Sequence, residues 1–191
     1  DQFGVAANDI VGSDPYDSLT AEAARVPPGA GGLLWAPYLM GERTPHLDPN
    51  ARAALVGLTA SHTRAHVIRA ILEGVAFSLK DSFEILKELD VPCKTIRLGG
   101  GGARSPLWRQ IQADIYAQQV EIMEAEEGAA YGVAILAGVA AGAWPNVEAA
   151  CAEVIRTRDR VESDPRAVKV LDRQYRSYVA IYPALQSVFT T

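Results

Sequence analysis

The chain has 191 residues, of which 49% are hydrophobic and 21% charged, so it is long and apolar enough to bury the core of a folded domain. Its formal net charge of -5 argues against nucleic acid or an anionic membrane as the main partner. Cys93 and Cys151 lack the spacing of a zinc site or a disulfide framework, which favours a reducing cytoplasm. The chain opens without a signal peptide or an initiator methionine, so we expect it to begin inside a longer polypeptide.

The first third of the chain predicts a short helix followed by two strands. Residues 14–25 have the composition of a helix, and a Pro-Pro-Gly sequence ends it. Apolar runs at residues 32–39 and 53–58 predict two buried strands, separated by a polar loop rich in turn formers. The two strands are expected to pair across that loop.

A long helix is predicted from Thr63, its cap, to about Leu89. Arg69 and Glu73 are four residues apart within it and are expected to form a local ion pair. Apolar residues at steps of three and four predict its core-facing side. They are Ile68, Ile71, Leu72, Val75, Leu79, Phe83 and Leu86.

The most informative stretch joins a predicted strand, residues 95–98, to a predicted helix through four consecutive glycines, Gly99 to Gly102. A backbone without Cβ atoms adopts positive φ and allows a ligand to lie directly against its N–H groups. Ser105 is a good N-cap and Pro106 suits the first helical position. Because helix N-termini carry unpaired N–H groups and partial positive charge, the turn suits an anion or a nucleotide, with tight packing as the alternative.

Two named nucleotide motifs fail at this turn. No Gly-Lys pair occurs in the chain, so the phosphate loop GxxxxGK[ST] is absent. The dinucleotide pattern GxGxxG places Arg104 or Ser105 where its last glycine belongs. Any nucleotide at this turn is therefore held in another way, and Arg104 is open to two roles, a phosphate contact or a surface salt bridge.

The remainder of the chain predicts further helices and one strand. They are a helix at residues 106–118, a strand at 120–123, and helices at about 129–142, 147–156 and 164–187, the last interrupted near Pro183. The alternation from Thr63 onward, helix, strand, helix, strand, helix, predicts an α/β domain with layered helices.

Residues 128–147 carry no charge and approach the length that a bilayer requires. The run is mostly alanine and glycine and lacks an aromatic belt, so a buried helix of a soluble domain is the better interpretation. Four glycines are expected to make one side of this helix slim, so that another group approaches its backbone closely. They are Gly128, Gly132, Gly138 and Gly142.

Three polar groupings are candidates for functional sites. His62 and His66 are four residues apart, but a capping or surface role is favoured over metal binding. A dense cluster lies between the first two strands and fits either acid-base chemistry or a structural ion-pair cluster. Its members are Glu42, Arg43, His46 and Asp48.

The third grouping, Glu124, Glu126 and Glu127, follows a strand where a dinucleotide fold places its ribose-binding acid. Because GxGxxG fails, helix capping is the favoured role. No complete catalytic set emerges from the residues alone. Two functions stay open on the residues alone: a nicotinamide-binding oxidoreductase domain built on the glycine turn and Glu124, and a non-catalytic association module using the glycine-lined helix.

Three separated segments resemble the C-terminal domain of the FGGY carbohydrate kinases. They read LLWAPYLMGERTPHLDPNARAALVGLT at residues 33–59, HVIRAILEGVAFSLKD at 66–81 and LGGGGARSPLWRQIQADI at 98–115. The family's C-terminal signature is met by Ala53, Leu55, Gly57 and Leu58, then after seven residues by His66, Val67, Ala70, Ile71, Leu72 and Glu73. The resemblance extends over essentially the whole chain.

The resemblance implies two actin-like, RNase H-like domains that close on ATP and a sugar, of which residues 1–191 are the second. That domain is expected to have a mixed sheet flanked by helices. Gly100, Gly101, Gly102 and Ala103 would line the nucleotide site near the adenosine and α-phosphate. Pro106 replaces an asparagine of glycerol-kinase-like members, so one amide contact to adenine is lost.

The resemblance also implies phosphate transfer from ATP, with Mg²⁺, to a sugar hydroxyl, with D-xylulose as the favoured sugar. The catalytic base is expected to be an aspartate of the preceding N-terminal domain, because no aspartate here matches that motif, so the chain alone is expected to be inactive. No residue of this chain is assigned to catalysis or to a metal. The expected partners are that N-terminal domain and the sugar, without nucleic acid or membrane, and homodimer formation is left open.

Overall fold

The computed structural model describes residues 15–125 and 128–189. Its α-helices are α1 (Pro15–Ala23), α2 (Arg64–Glu88), α3 (Pro106–Tyr116), α4 (Gly128–Ala140), α5 (Val147–Val154), α6 (Pro165–Val179) and α7 (Ile181–Phe189). Its strands are β1 (Leu34–Ala36), β2 (Ala54–Val56), β3 (Ile96–Leu98), β4 (Val120–Met123) and β5 (Thr157–Val161). The predicted order of helices and strands from Thr63 to α4 is confirmed.

The strands form two sheets within the described residues. β1 and β2 pair antiparallel, with Trp35 opposite Leu55, as the sequence predicts. β3 lies parallel to β4, and β4 lies antiparallel to β5, so this sheet is mixed. β5 was not predicted, because three consecutive charged residues occupy its centre, and a strand so exposed lacks the apolar alternation of a buried one.

The long helix α2 begins after Thr63 as predicted, but its buried face differs from the predicted one. Apart from Phe77, the buried positions are small or polar, including Ala70, Gly74 and Ala76, whereas Leu79 is 46% exposed. β1 lies directly against Gly74, and such a close approach requires small side chains at the centre of the contact. The larger aliphatic residues therefore lie along the margins of the face.

Arg69 and Glu73 pair as predicted, and the pair lies deep in the protein. The Arg69 Nε lies 2.7 Å from the Glu73 Oε1, and both side chains are almost fully buried. The guanidinium also donates to the carbonyl oxygen of Val26 at 2.7 Å, and the amide of Gly29 donates to Glu73 at 3.0 Å. Burial raises the pKa of Glu73. The pair thus fixes the segment between α1 and β1 against α2.

The C-terminal helices cover the largest part of the core. Tyr178 of α6 packs against Phe77 of α2, and its hydroxyl lies 3.0 Å from that of Tyr38. The predicted interruption occurs at Ala180 rather than at Pro183. Pro183 is the third residue of α7, where a helix has no use for the missing N–H, so it does not break the helix.

A buried carboxyl on α2 makes the stability dependent on pH. The Tyr175 hydroxyl donates to the Asp81 Oδ1 at 2.6 Å, and burial raises the pKa of Asp81 from 3.8 to about 6. Because the folded state binds this proton more tightly than the unfolded chain, the stabilising contribution is present at low pH and is lost as the pH rises through about 6.

The Asp81→Asn variant is therefore expected to lose less stability on going from about pH 4.5 to about pH 7.5 than the unaltered chain, by on the order of 2 kcal/mol. Urea unfolding at the two pH values measures the difference. Asp90→Asn, at an exposed turn residue with φ of 55°, is the matched control. Equal pH dependence in Asp81→Asn and the unaltered chain would contradict the prediction.

Candidate functional site

The glycine turn has the local structure that the sequence predicts. β3 leads into Gly100, whose φ of 76° and ψ of 179° are accessible essentially only to glycine. A 3₁₀ turn follows at Gly101–Arg104, and Ser105 then caps α3, its hydroxyl accepting the Trp108 amide at 3.3 Å. Pro106 is the first residue of α3. The glycine backbone of the turn therefore lies directly before the N-terminus of α3.

The crest of the turn, Gly99 to Gly101, is open, and its base, Gly102 and Ala103, is packed. A Cβ built on Gly99, Gly100 or Gly101 meets no atom within 4 Å, whereas one on Gly102 lies 3.3 Å from the Trp108 ring. Ala103 is 8% exposed, and its amide donates to the Gly100 carbonyl at 3.1 Å. The packing interpretation therefore holds for Gly102 and Ala103, whereas Gly99 to Gly101 are open and their contact with a nucleotide stays a prediction.

Arg109 supports the turn from behind and was missed by the sequence analysis. Its Nε donates to the carbonyl oxygen of Ala103, and its Nη1 lies 3.6 Å from an Asp159 carboxylate oxygen of β5. The signal that it carried was its place in the first turn of α3, within reach of the preceding loop. Arg104 is exposed, and its two predicted roles stay open.

A cavity of about 650 Å³ lies on the other side of the sheet from α3, because its lining residues Arg97 and Met123 alternate along the strands with those that pack against Ala113 of α3. Arg97 of β3 and Met123 of β4 line it from the sheet, and Ile135 and Leu136 line it from α4. The glycines of the turn are not part of its lining. The cavity is mostly apolar, and Glu124, which is exposed, lies at its margin.

Helix α4 is not the buried helix that the sequence predicts. Among its residues only Ile135 is buried, while Val133 is 66% and Leu136 57% exposed. Gly128 and Gly132 line the cavity, but Gly138 packs against Trp144, so the predicted slim side is formed by two of the four glycines. No helix within the described residues is long and apolar enough to cross a membrane.

The polar loop between β1 and β2 is held by hydrogen bonds of its own side chains, and a role in acid-base chemistry stays untested. The Glu42 carboxylate accepts the amides of Thr44 at 2.8 Å and His46 at 2.9 Å, and the Tyr182 hydroxyl donates to Asp48 at 3.0 Å. The His46 ring stacks on that of Tyr182 with 3.7 Å between centroids, and burial lowers the pKa of His46. Hydrogen bonds to the backbone and to Tyr182, rather than the predicted ion pairs, define this cluster, and Arg43 is exposed.

His66 has the capping role that was favoured over metal binding, and His62 bonds within the turn that precedes the helix. The His66 Nδ1 accepts the Thr63 amide at 3.2 Å, which completes a capping box at the start of α2. The His62 Nδ1 accepts the Thr59 amide at 2.9 Å. Of the acidic group, Glu126 and Glu127 lie outside the described residues, and the capping role of Glu124 stays a prediction.

Comparison with known proteins identifies the family. The sequence profile described as "FGGY family of carbohydrate kinases, C-terminal domain" matches residues 2–141. The chain belongs to this family. Kinases of the FGGY family use ATP, and the proteins similar to this chain in structure are sugar kinases of the actin-like ATPase fold.

Individual relatives agree with this assignment. The chain is 36% identical to the xylulose kinase of Bacillus subtilis over 93% of its own length and 34% of that protein, and 40% identical to the gluconokinase of the same species over 90% and 33%. The crystal structure of xylulose kinase from Rhodospirillum rubrum matches all of this chain and 38% of that protein, with a TM-score of 0.84 and 32% identity. The chain thus spans about a third of the length of relatives that are two-domain kinases, in which the matched region is C-terminal.

Proposed function

We propose that this chain is the ATP-binding C-terminal domain of a carbohydrate kinase, spanning residues 1–191, and that the glycine turn cradles the nucleotide. The single observation that carries the proposal is the open crest of the turn above the start of α3, in a chain of the FGGY family. Exposed glycine backbone at a helix N-terminus offers N–H groups and positive potential to a phosphate. Gly100 and Gly101 at the open crest would contact the nucleotide, and Gly102 and Ala103 at the packed base would hold the turn in place beside it.

D-xylulose is the proposed acceptor, giving D-xylulose 5-phosphate. The xylulose kinases of Bacillus subtilis and Rhodospirillum rubrum, which match at least 93% of this chain, support it. Gluconate is the second candidate, because the gluconokinase of Bacillus subtilis is 40% identical. Sugar contacts from the N-terminal domain of the kinase would decide between the two.

Phosphoryl transfer is proposed to use further parts, supplied by the N-terminal domain of the kinase. Among the described residues, no three carboxylate, imidazole or thiolate side chains lie together as a metal site. In the proposed reaction Mg²⁺ would be held by the phosphate oxygens and by the N-terminal domain, which would also provide the catalytic aspartate. We place this reaction in the cytoplasm, and propose neither a nucleic acid nor a membrane partner.

Calorimetric titration of the purified chain with ATP and, separately, with NAD tests the nucleotide assignment. We expect saturable binding of ATP, no binding of NAD, and no phosphorylation of D-xylulose by the chain alone. NAD binding in place of ATP would favour an oxidoreductase domain. Self-association without affinity for either nucleotide would favour an association module.

A further inference from the structure

One carbonyl of the glycine turn lacks the backbone donor that its neighbours have. In a 3₁₀ turn each carbonyl accepts from the amide three residues further on. The Ala103 amide donates in this way to the Gly100 carbonyl at 3.1 Å. The Ser105 amide donates to the Gly102 carbonyl at 3.2 Å. For the Ala103 carbonyl the corresponding residue is Pro106, which has no N–H, so a donor must come from a side chain.

Arg109 supplies that donor from α3. Its Nε donates to the Ala103 carbonyl oxygen, and its side chain is only 14% exposed. A hydrogen bond from a charged donor is about twice as strong as a neutral one, and the low dielectric of a buried place strengthens it further. The guanidinium therefore holds the base of the turn more firmly than a backbone amide would.

The other end of the guanidinium is fixed to the mixed sheet. The Arg109 Nη1 lies 3.6 Å from the Asp159 Oδ2 of β5. Asp159 is opposite Ile122 of β4, and residues opposite each other lie on the same face of a sheet. Ile122 belongs to the same buried cluster as Ala113 of α3. The carboxylate is thus on the face that α3 covers, and one side chain joins the turn, α3 and β5.

We propose that Arg109 is a positioning residue of the nucleotide site, which acts through the Ala103 carbonyl without touching the nucleotide. An anion-binding turn needs successive N–H groups directed at one point. Without the guanidinium, the peptide at the base of the turn is free to rotate, and carbonyl oxygens rather than N–H groups then face a phosphate for part of the time. The inference rests on the proposed binding of the nucleotide at the crest.

Calorimetric titration of the 191-residue chain with ATP tests the proposal. Arg109→Ala is expected to weaken ATP binding at least about tenfold, because it removes the hydrogen bond from a charged donor that sets the turn. Arg109→Lys keeps the charge and most of the packing, but it lacks the planar fork that reaches two acceptors at once. We expect a smaller loss of ATP affinity in Arg109→Lys, and full affinity in both variants would overturn the proposal.

Gln110→Ala, at the next residue of α3, is the matched control. The Gln110 Nε2 donates to the Asp114 Oδ1 at 2.8 Å and to the Glu162 carbonyl at 3.0 Å, so it bridges α3 to the segment after β5. These bonds do not involve the turn. The control is expected to lower the thermal stability and to leave ATP affinity unchanged. Equal losses of affinity in Gln110→Ala and Arg109→Ala would contradict a positioning role.

Titration with AMP separates positioning from a direct contact with the outer phosphates. A displaced crest should weaken ATP and AMP by the same factor, because both would lie against it. A guanidinium that bound the outer phosphates would contribute to ATP binding alone. A larger loss for ATP than for AMP in Arg109→Ala would therefore overturn the proposal.

Amide hydrogen exchange without nucleotide measures the turn itself. The amides of Ala103 and Ser105, which close the turn, should exchange about tenfold faster in Arg109→Ala than in the unaltered chain, and at an unchanged rate in Gln110→Ala. Unchanged exchange in Arg109→Ala would overturn the proposal even if ATP affinity fell. If the unaltered chain bound no ATP, the proposed function would fail, while the exchange rates would still decide whether Arg109 holds the turn.

Discussion

Replacing Gly74 by alanine is expected to lower the free energy of unfolding by at least about 3 kcal/mol, or to prevent folding. A Cβ on Gly74 would lie 2.1 Å from the carbonyl oxygen of Trp35 and 3.0 Å from its carbonyl carbon. Alanine is favoured over glycine within a helix by about 1 kcal/mol, but this gain is smaller than the cost of displacing a strand. β1 cannot move away freely, because Leu34 and Ala36 are both in the core. Urea unfolding followed by circular dichroism gives the measurement.

Gly132→Ala is the matched control, since it makes the same substitution within a helix. A Cβ on Gly132 of α4 meets no atom within 4 Å, so only the helix propensity changes. We expect an increase of up to about 1 kcal/mol in the free energy of unfolding of the control. If both variants were stabilised alike, α2 would not lie as close to β1 as the structure places it.

The local features of this fold were predictable wherever neighbouring residues determine them. Ser105 and Thr63 cap α3 and α2 because their side chains bond to groups within three residues. The glycine turn follows from the same local chemistry, and so does the choice of helix or strand on either side. Backbone preferences that depend only on neighbouring residues can be predicted without the tertiary structure.

Burial was less predictable, because it depends on which elements meet. Periodicity selected a face of α2 that includes Leu79, whereas contact with β1 buries the side around Gly74 instead. The composition of α4 predicted a core helix, yet Val133 and Leu136 are exposed. A sequence pattern indicates that a residue suits an apolar environment. It does not indicate whether that environment comes from the same chain. The cavity lined by α4 was for this reason found only in the structure.

The candidate site was predicted in outline but not in its division of roles. Gly100 to Ala103 were predicted to act as a group. In the structure the crest is open and the base is packed, with Gly102 close to Trp108. Arg109 of α3 contacts both Ala103 in the turn before the helix and Asp159 of β5. No sequence motif indicates this pair of contacts. Side-chain contacts that depend on the path of the backbone are not visible in spacing alone.

Gly101→Val is expected to weaken ATP binding by about 10- to 100-fold, because methyl groups that intrude on a packed contact cost about 1–3 kcal/mol. A Cβ on Gly101 meets no protein atom within 4 Å, and its φ is not positive, so the protein itself accommodates the side chain. Only a ligand lying on the crest would meet the added methyl groups. Calorimetric titration with ATP measures the affinity, and thermal unfolding without nucleotide measures the stability, which should be unchanged.

Gly101→Ala provides a graded comparison. Its single methyl group should cause a smaller loss of affinity than the larger side chain of Gly101→Val. Gly132→Ala, another substitution at an open glycine, should leave ATP binding as it is. Unchanged affinity in Gly101→Val would mean that the nucleotide lies away from the crest. Parallel losses of affinity and stability would instead assign the turn a packing role. A side chain added at an open residue destabilises the fold only if the surrounding backbone differs from the one described.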